Sequence, residues 1–210
     1  MTRVLEERER AVLDAATARL VPGPEDDPGE AGYPGAREAG AADYIVGLLD
    51  ALHDDPPRVY ADGERFLPLS ATVTAQWQAR LAELVPAYHE GLAALDELAG
   101  GDFAAALPAA QDAALAANPR VPHLPAGVRG FTDLLFRHTI EGCYGAPVYG
   151  GNADGVMWRS IGFPGDVQPH GHPADRVTAS DGPDPCTPTP TGIVADLLRL
   201  LTATAPGSPK

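Results

Sequence analysis

Apolar residues recur at three- and four-residue spacing through most of the first 142 positions, the period of a helix with one buried face. Val4, Leu5, Ala11, Val12, Ala15, Ala16 and Leu20 share a face over 3–20, with Glu and Arg between them. Pro22-Gly23-Pro24 should stop that helix, and the acidic, Gly- and Pro-rich stretch 22–37 reads as a loop. A second helix is expected over 39–52, with Tyr44, Ile45, Leu48, Leu49 and Leu52 on one side. Residues 53–70, interrupted by Pro56-Pro57, read as loop. The longest helical pattern covers 70–98, its stripe made by Trp77, Leu81, Leu84, Val85, Tyr88, Leu92 and Leu95. Pro86 falls inside this pattern and should kink or split it. A short helix over 107–117 opens on Pro108, a Pro-rich turn fills 118–126, and a fifth helix is expected over 127–142 with Val128, Phe131, Leu134, Leu135 and His138 along one side.

The texture then changes. From Cys143 to Gly165 glycines alternate with Tyr144, Tyr149, Met157, Trp158, Ile161 and Phe163, which suggests loops that pack. Residues 166–190 are rich in Pro, Gly, Asp and Thr and read as a linker. A last amphipathic helix is expected over 191–204, with Ile193, Val194, Leu197, Leu198, Leu200 and Leu201. Alternating β-branched residues occur nowhere, so no strand is expected. The predicted class is all-α: a small irregular helical bundle with a Gly/aromatic-rich loop segment (1–165), a Pro-rich linker (166–190) and a C-terminal helix and tail (191–210).

Composition narrows the function. Lys+Arg number 15 against 29 Asp+Glu, a net charge of -14 in 210 residues, so nucleic acid and anionic bilayers are poor partners. No window approaches the apolar run of about 18 residues that a membrane span needs. The mixed charges of Met1-Thr-Arg-Val-Leu-Glu-Glu-Arg-Glu-Arg10, with no apolar region behind them, give no export signal, so the cytoplasm is the expected compartment. With 36 Ala and aromatics at only 6%, the core should be Ala- and Leu-built. Nucleotide-binding glycine loops, HExxH and GxSxG are absent from the sequence.

Candidate chemistry is sparse. His138 and Glu141 stand at i and i+3 on one helix face, where they could form half of a metal or acid/base site. The plainer reading is a partly buried histidine bonded to Glu141 or to a carbonyl. His170-Gly-His172 is a possible chelating pair without further ligands nearby. Cys143 and Cys186 could pair in an oxidising compartment, but two free thiols fit a chain without a signal peptide. The strongest local signal is the run from Leu135 to Gly165, with seven Gly interleaved with Phe136, Tyr144, Tyr149, Trp158 and Phe163. Residue types alone leave two readings open for it, a structured docking surface or a buried cap over the bundle.

This run resembles the signature of the gluconate 2-dehydrogenase subunit 3 family. The matching pieces are Arg137-His138-Thr139-Ile140-Glu141-Gly142, Pro147-Val-Tyr149-Gly150-Gly151-Asn152, Asp154, Trp158 and Ile161-Gly162-Phe163-Pro164-Gly165. Val21-Pro22 after the first helix, Gly91-Leu92-x-x-Leu95-Asp96 and Leu107-Pro-x-x-Gln111 extend the similarity over roughly 5–165. The resemblance implies a non-catalytic small subunit that binds a glucose-methanol-choline-type dehydrogenase. FAD would sit in that large subunit, a cytochrome c would often accept the electrons, and no cofactor or metal would be held on this chain. Family members usually carry a twin-arginine signal and work in the periplasm or at the outer face of the inner membrane. The implied partner-binding residues are Arg137, His138, Glu141, Tyr144, Pro147, Tyr149, Gly150, Gly151, Asn152, Trp158, Gly162, Phe163 and Pro164. The chain departs from the family in lacking the signal, in Cys143 replacing a usual aromatic, and in its tail after Gly165.

Overall fold

The computed structural model describes residues 4–30 and 32–163. The expected helix over 191–204, the linker, the His170/His172 pair, Cys186 and Pro164 lie outside the described residues. Helix α1, Glu7–Leu20, starts where the Glu9 carboxylate accepts the Glu6 N–H at 2.9 Å, and it stops short of Pro22. Its face of Val12, Leu13, Ala15 and Ala16 is buried, and its arginines reach outward to neighbouring elements. Arg19 forks onto Asp112 at 2.7 and 2.8 Å, and Arg8 meets Asp96.

The helix expected over 39–52 is α3, Ala41–Leu49, and a one-turn helix α2, Ala36–Ala39, precedes it at the end of the stretch expected to be loop. Gly40 separates them with φ +68°, a left-handed conformation that ends one helix and redirects the chain into the next. The stretch expected to be loop after α3 contains a small antiparallel ribbon, β1 (Ala61–Asp62) paired with β2 (Arg65–Phe66), Ala61 opposite Phe66. This corrects the expectation of no strand. Asp62-Gly63 supplies a tight turn with Gly63 at φ +63°, and two-residue strands are too short to show an alternating pattern.

Helix α4, Ala71–Leu98, runs unbroken through Pro86, capped at its start by the Ser70 hydroxyl accepting the Val73 N–H. Proline removes the amide that would have bonded the carbonyl of Ala82, and Ala82 is exposed, so water reaches that carbonyl. The helix therefore is not split, as the sequence allowed. Its two halves differ in environment. Leu84, Ala87, Tyr88, Gly91, Leu92 and Leu95 are buried, whereas no residue from Ala71 to Glu83 is.

Helix α5, Pro108–Ala117, ends at Asn118, which adopts φ +46° and accepts the Asp133 N–H on its side chain. Helix α6, Phe131–Tyr144, is locked to that end. The Phe131 N–H donates to the Pro119 carbonyl at 2.8 Å, and the Thr132 hydroxyl donates to the Leu115 carbonyl at 2.8 Å. Helix α6 begins four residues later than the pattern suggested because the chain first turns at Pro125–Val128 and then extends through Gly130. Two 3₁₀ turns, Pro147–Tyr149 and Ala153–Gly155, lead to the short α7, Val156–Ser160.

The core gathers α1, α3, α4, α5 and α6 around Leu13, Ile45, Tyr88, Leu92, Phe103, Phe131 and Leu135. Phe131 lies edge-on to Tyr88 at 5.4 Å and rests on Gly91, where a Cβ would fall 2.1 Å from the ring. We predict that Gly91→Ala destabilises the fold by about 1–2 kcal/mol in urea denaturation. The helix-propensity gain of about 1 kcal/mol is outweighed by displacing a fully buried ring. An unchanged or raised stability would contradict this packing.

Candidate functional site

The residues of the signature segment are brought together around the C-terminal end of α6, where glycine backbone permits two close approaches. At Gly142 an added Cβ would meet Ala41 Cα at 3.0 Å and the Tyr44 side chain at 3.1 Å, so α3 crosses here with backbone nearly touching backbone. At Gly151 an added Cβ would lie 2.2 Å from the Gly142 carbonyl oxygen. Gly150 adopts φ +94° to bring the chain into that position.

Asn152 then fastens the returning chain. It is fully buried, with φ +45°. Its backbone N–H donates to the Gly142 carbonyl at 2.7 Å. Its side-chain Nδ2 donates to the Gly145 carbonyl at 3.1 Å, and its Oδ1 accepts the Met157 N–H at 3.0 Å. One amide thus satisfies both the C-terminal end of α6 and the N-terminal turn of α7. Trp158 adds a bond from its ring N–H to the Tyr144 carbonyl at 2.8 Å, and Phe163 packs edge-on against Trp158 at 5.1 Å. Gly162, at φ +71°, makes the turn between them. Tyr149 points the other way. Its hydroxyl oxygen accepts the Ala61 N–H at 3.1 Å and its ring packs on Phe66 at 5.8 Å, so it holds the β1–β2 ribbon against the bundle.

The segment divides into a buried part and an exposed part. Gly151, Asn152 and Met157 form a buried cap, whereas Tyr144, Pro147, Ile161 and Phe163 are exposed. Tyr33, Tyr144 and Ile161 border a shallow groove with Leu20 and Pro34.

His138 and Glu141 sit on the same side of α6 but bond to different partners. His138 Nδ1 shares a 2.8 Å hydrogen bond with the Tyr88 hydroxyl, and the two rings are parallel with centroids 5.8 Å apart. Glu141 accepts the Tyr44 hydroxyl at 3.1 Å. The expected bond of His138 to Glu141 or a carbonyl is thereby replaced by one to a tyrosine fifty residues upstream. Burial holds the His138 imidazole neutral, its pKa pushed down to about 4. The Glu141 charge opposes this, while Arg80 and Arg137 reinforce it. Burial and the Glu141 carboxylate together push the Tyr44 phenol well above its ordinary range. Among the described residues no group of three or more His, Cys, Asp or Glu side chains converges on a point that could hold a metal ion. Cys143 is a buried free thiol, its pKa pushed up to about 12 by desolvation.

Tyr44, Trp77, Arg80 and Tyr88, which sequence reasoning used only as helix-face residues or not at all, surround the His138/Glu141 neighbourhood. Arg80 lies over the Trp77 ring at 4.8 Å. The i, i+3 spacing of Trp77 and Arg80 within the long helical pattern was the available signal.

A family model described as gluconate 2-dehydrogenase subunit 3 matches residues 7–165. No curated protein and no solved structure matches the chain.

Two outcomes follow from this geometry. Asn152→Ala should cost about 3 kcal/mol in urea denaturation, since it orphans a carbonyl and an amide and leaves a Cβ at positive φ. Asn152→Gly, which relieves the backbone but restores neither bond, should recover only part; full recovery would show that the side-chain bonds contribute nothing. Separately, the lowered His138 pKa means that the unfolded chain binds a proton between about pH 6.5 and about 4 that the native protein refuses. Stability should therefore fall as pH drops through that window, by at most about 3 kcal/mol from this residue. Equilibrium unfolding of His138→Gln should lose less stability than the parent between pH 7 and 4.5, and parallel losses would contradict a buried neutral imidazole.

Proposed function

This chain belongs to the gluconate 2-dehydrogenase subunit 3 family, and from that premise we propose that it is the non-catalytic partner of a glucose-methanol-choline-type flavoprotein that oxidises a sugar, sugar acid or related alcohol. Family membership makes it a subunit and implies companion subunits. We place the FAD in the large subunit, with a cytochrome c as a further companion that accepts electrons. The observation that carries this reading is the family match over residues 7–165, which takes in every described helix. The local chemistry supports it. Asn152, Trp158 and Tyr149 spend their polar groups on the fold itself, and His138 is buried and neutral against Tyr88. A dinucleotide cradle is built where a parallel strand feeds a glycine turn and a helix, and the only strands among the described residues are a two-residue antiparallel ribbon.

In this role the chain supplies binding energy and order. A large flavoprotein surface that is apolar when alone would be covered by the small subunit, which raises the stability of the pair by mass action.

Tagged full-length chain recovered from its own host should bring down a larger chain in near-equal amount, with the two-band visible spectrum of a flavin and a dye-linked sugar or alcohol dehydrogenase activity. Recovery of a colourless chain alone, under conditions where such a dehydrogenase is present in the extract, would overturn the subunit assignment. Recovery in trace amount only during synthesis of the flavoprotein would replace a resident subunit by a maturation factor.

A further inference from the structure

The first half of α4 packs only loosely on the bundle, with Trp77 and Arg80 lining a groove shared with Tyr44 and Leu48 of α3. From Ala71 to Glu83 no residue is buried, and this rod of 13 residues is about 20 Å long at 1.5 Å per residue. An isolated helix of that length is marginal in water, and most helical stability in proteins comes from packing one face. Here Trp77 and Leu81 are only half buried.

The charge pattern singles out the same place. The chain has 29 carboxylates in 210 residues, yet 65–82 and 113–132 contain none, and these are its two longest carboxylate-free stretches. They are distant in sequence, but the fold brings them to one groove of about 230 Å³, with Arg80 on one wall, Pro125, Ala126 and Val128 on the other, and His138 beneath. Both stretches lack negative charge but keep Trp77, Arg80, Arg120 and Arg129, and Trp and Arg are residue types enriched at protein interfaces.

Neither guanidinium group at this groove pairs with a carboxylate among the described residues, although Arg80 lies over the Trp77 ring. Arg8, Arg10, Arg19, Arg37, Arg58 and Arg129 each pair with an Asp. Arg80 and Arg137 line the groove and make no ion pair among the described residues, although both lie near enough to His138 to act on it. Glu83 and Glu141 also line the groove, and Glu141 is engaged by the Tyr44 hydroxyl.

We propose that the projecting half of α4, with the 119–129 turn and the outer side of α6, is the docking face for the large subunit, and that it receives a segment apolar at its centre with carboxylates placed for Arg80 and Arg137. This rests on the accessory-subunit reading. It moves the main contact away from most of the signature segment, whose glycines and Asn152 serve the cap, and keeps Arg137 as the signature residue that faces the partner.

The test places a photo-crosslinking benzoylphenylalanine at Gln78 or, separately, at Ile161 of the full-length chain, produced together with the flavin-bearing chain. Gln78 should yield a crosslink to a flavoprotein segment that contains Asp or Glu. Arg80→Glu with Arg137→Glu should lower recovery of the flavoprotein at least about tenfold, the scale of an interface hot spot, with far-UV dichroism unchanged, and Arg80→Lys should retain most of it. Crosslinks from Ile161 only, or unchanged recovery with the charge-reversed pair, would overturn this docking face while leaving the accessory role intact. Absence of any flavin-bearing chain from all recoveries would overturn the accessory role and this inference with it.

Discussion

The backbone of Gly142 is closely approached from both sides: a Cβ on it would crowd α3 at 3.0 Å, and a Cβ on Gly151 would clash with its carbonyl oxygen at 2.2 Å. On one side it meets Ala41 and Tyr44 of α3, and on the other Gly151 and Asn152 of the returning chain. Everything peculiar to this segment follows from that double approach. Close contact needs Gly at 151 and favours it at 142, the turn into it uses Gly150 at positive φ, and the buried amide of Asn152 satisfies carbonyls at the end of α6 that would otherwise be unpaired. The density of glycine and aromatic residues is thus a packing solution, with the aromatics closing over glycine backbone that cannot cover itself.

The helices were legible in the sequence because each buries one continuous stripe at helical period, and their ends were legible where Pro or Gly forbids continuation. Errors arose where a local rule competed with solvent access or distance. Pro86 does not break α4, and it falls where the helix surface one turn earlier, at Ala82, is exposed. The one-turn α2 before Gly40 falls at the end of a Gly- and Pro-rich stretch whose composition reads as loop. The β1–β2 ribbon is secured by Tyr149 from 88 residues away, which no local pattern can report. In the same way the family signature was visible as a string of residues, but its division into cap and exposed aromatics depended on the return of the chain onto α6. The partner of His138 is set by the packing of α4 against α6, and the spacing to Glu141 pointed elsewhere.

An accessory subunit has a physical problem different from that of an enzyme. Its fold must be stable enough to persist alone, yet present a face that gains from being covered. With the docking face proposed above, the two demands fall on different parts of α4. The C-terminal half anchors in the core through Tyr88, Leu92 and Leu95, so the N-terminal half is held in helical form by its own continuation. The acidic remainder of the surface repels nonspecific partners and like copies, and the stretches 65–82 and 113–132, free of Asp and Glu, add nothing to that repulsion.

The buried thiol of Cys143 has a practical corollary. It lies one residue beyond Gly142, with no exposure and a proton it holds far above neutral pH. Cys143 is packed among Ala36, Ala39, Ala41 and Met157, so an alkylating reagent can react there only when the end of α6 separates from α2, the start of α3 and α7. The rate at which Cys143 becomes modified, read apart from Cys186 by peptide mapping, is therefore a built-in clock for the opening of this one junction. A companion subunit that clamps the junction would slow that clock, even where it leaves the overall melting temperature almost unmoved.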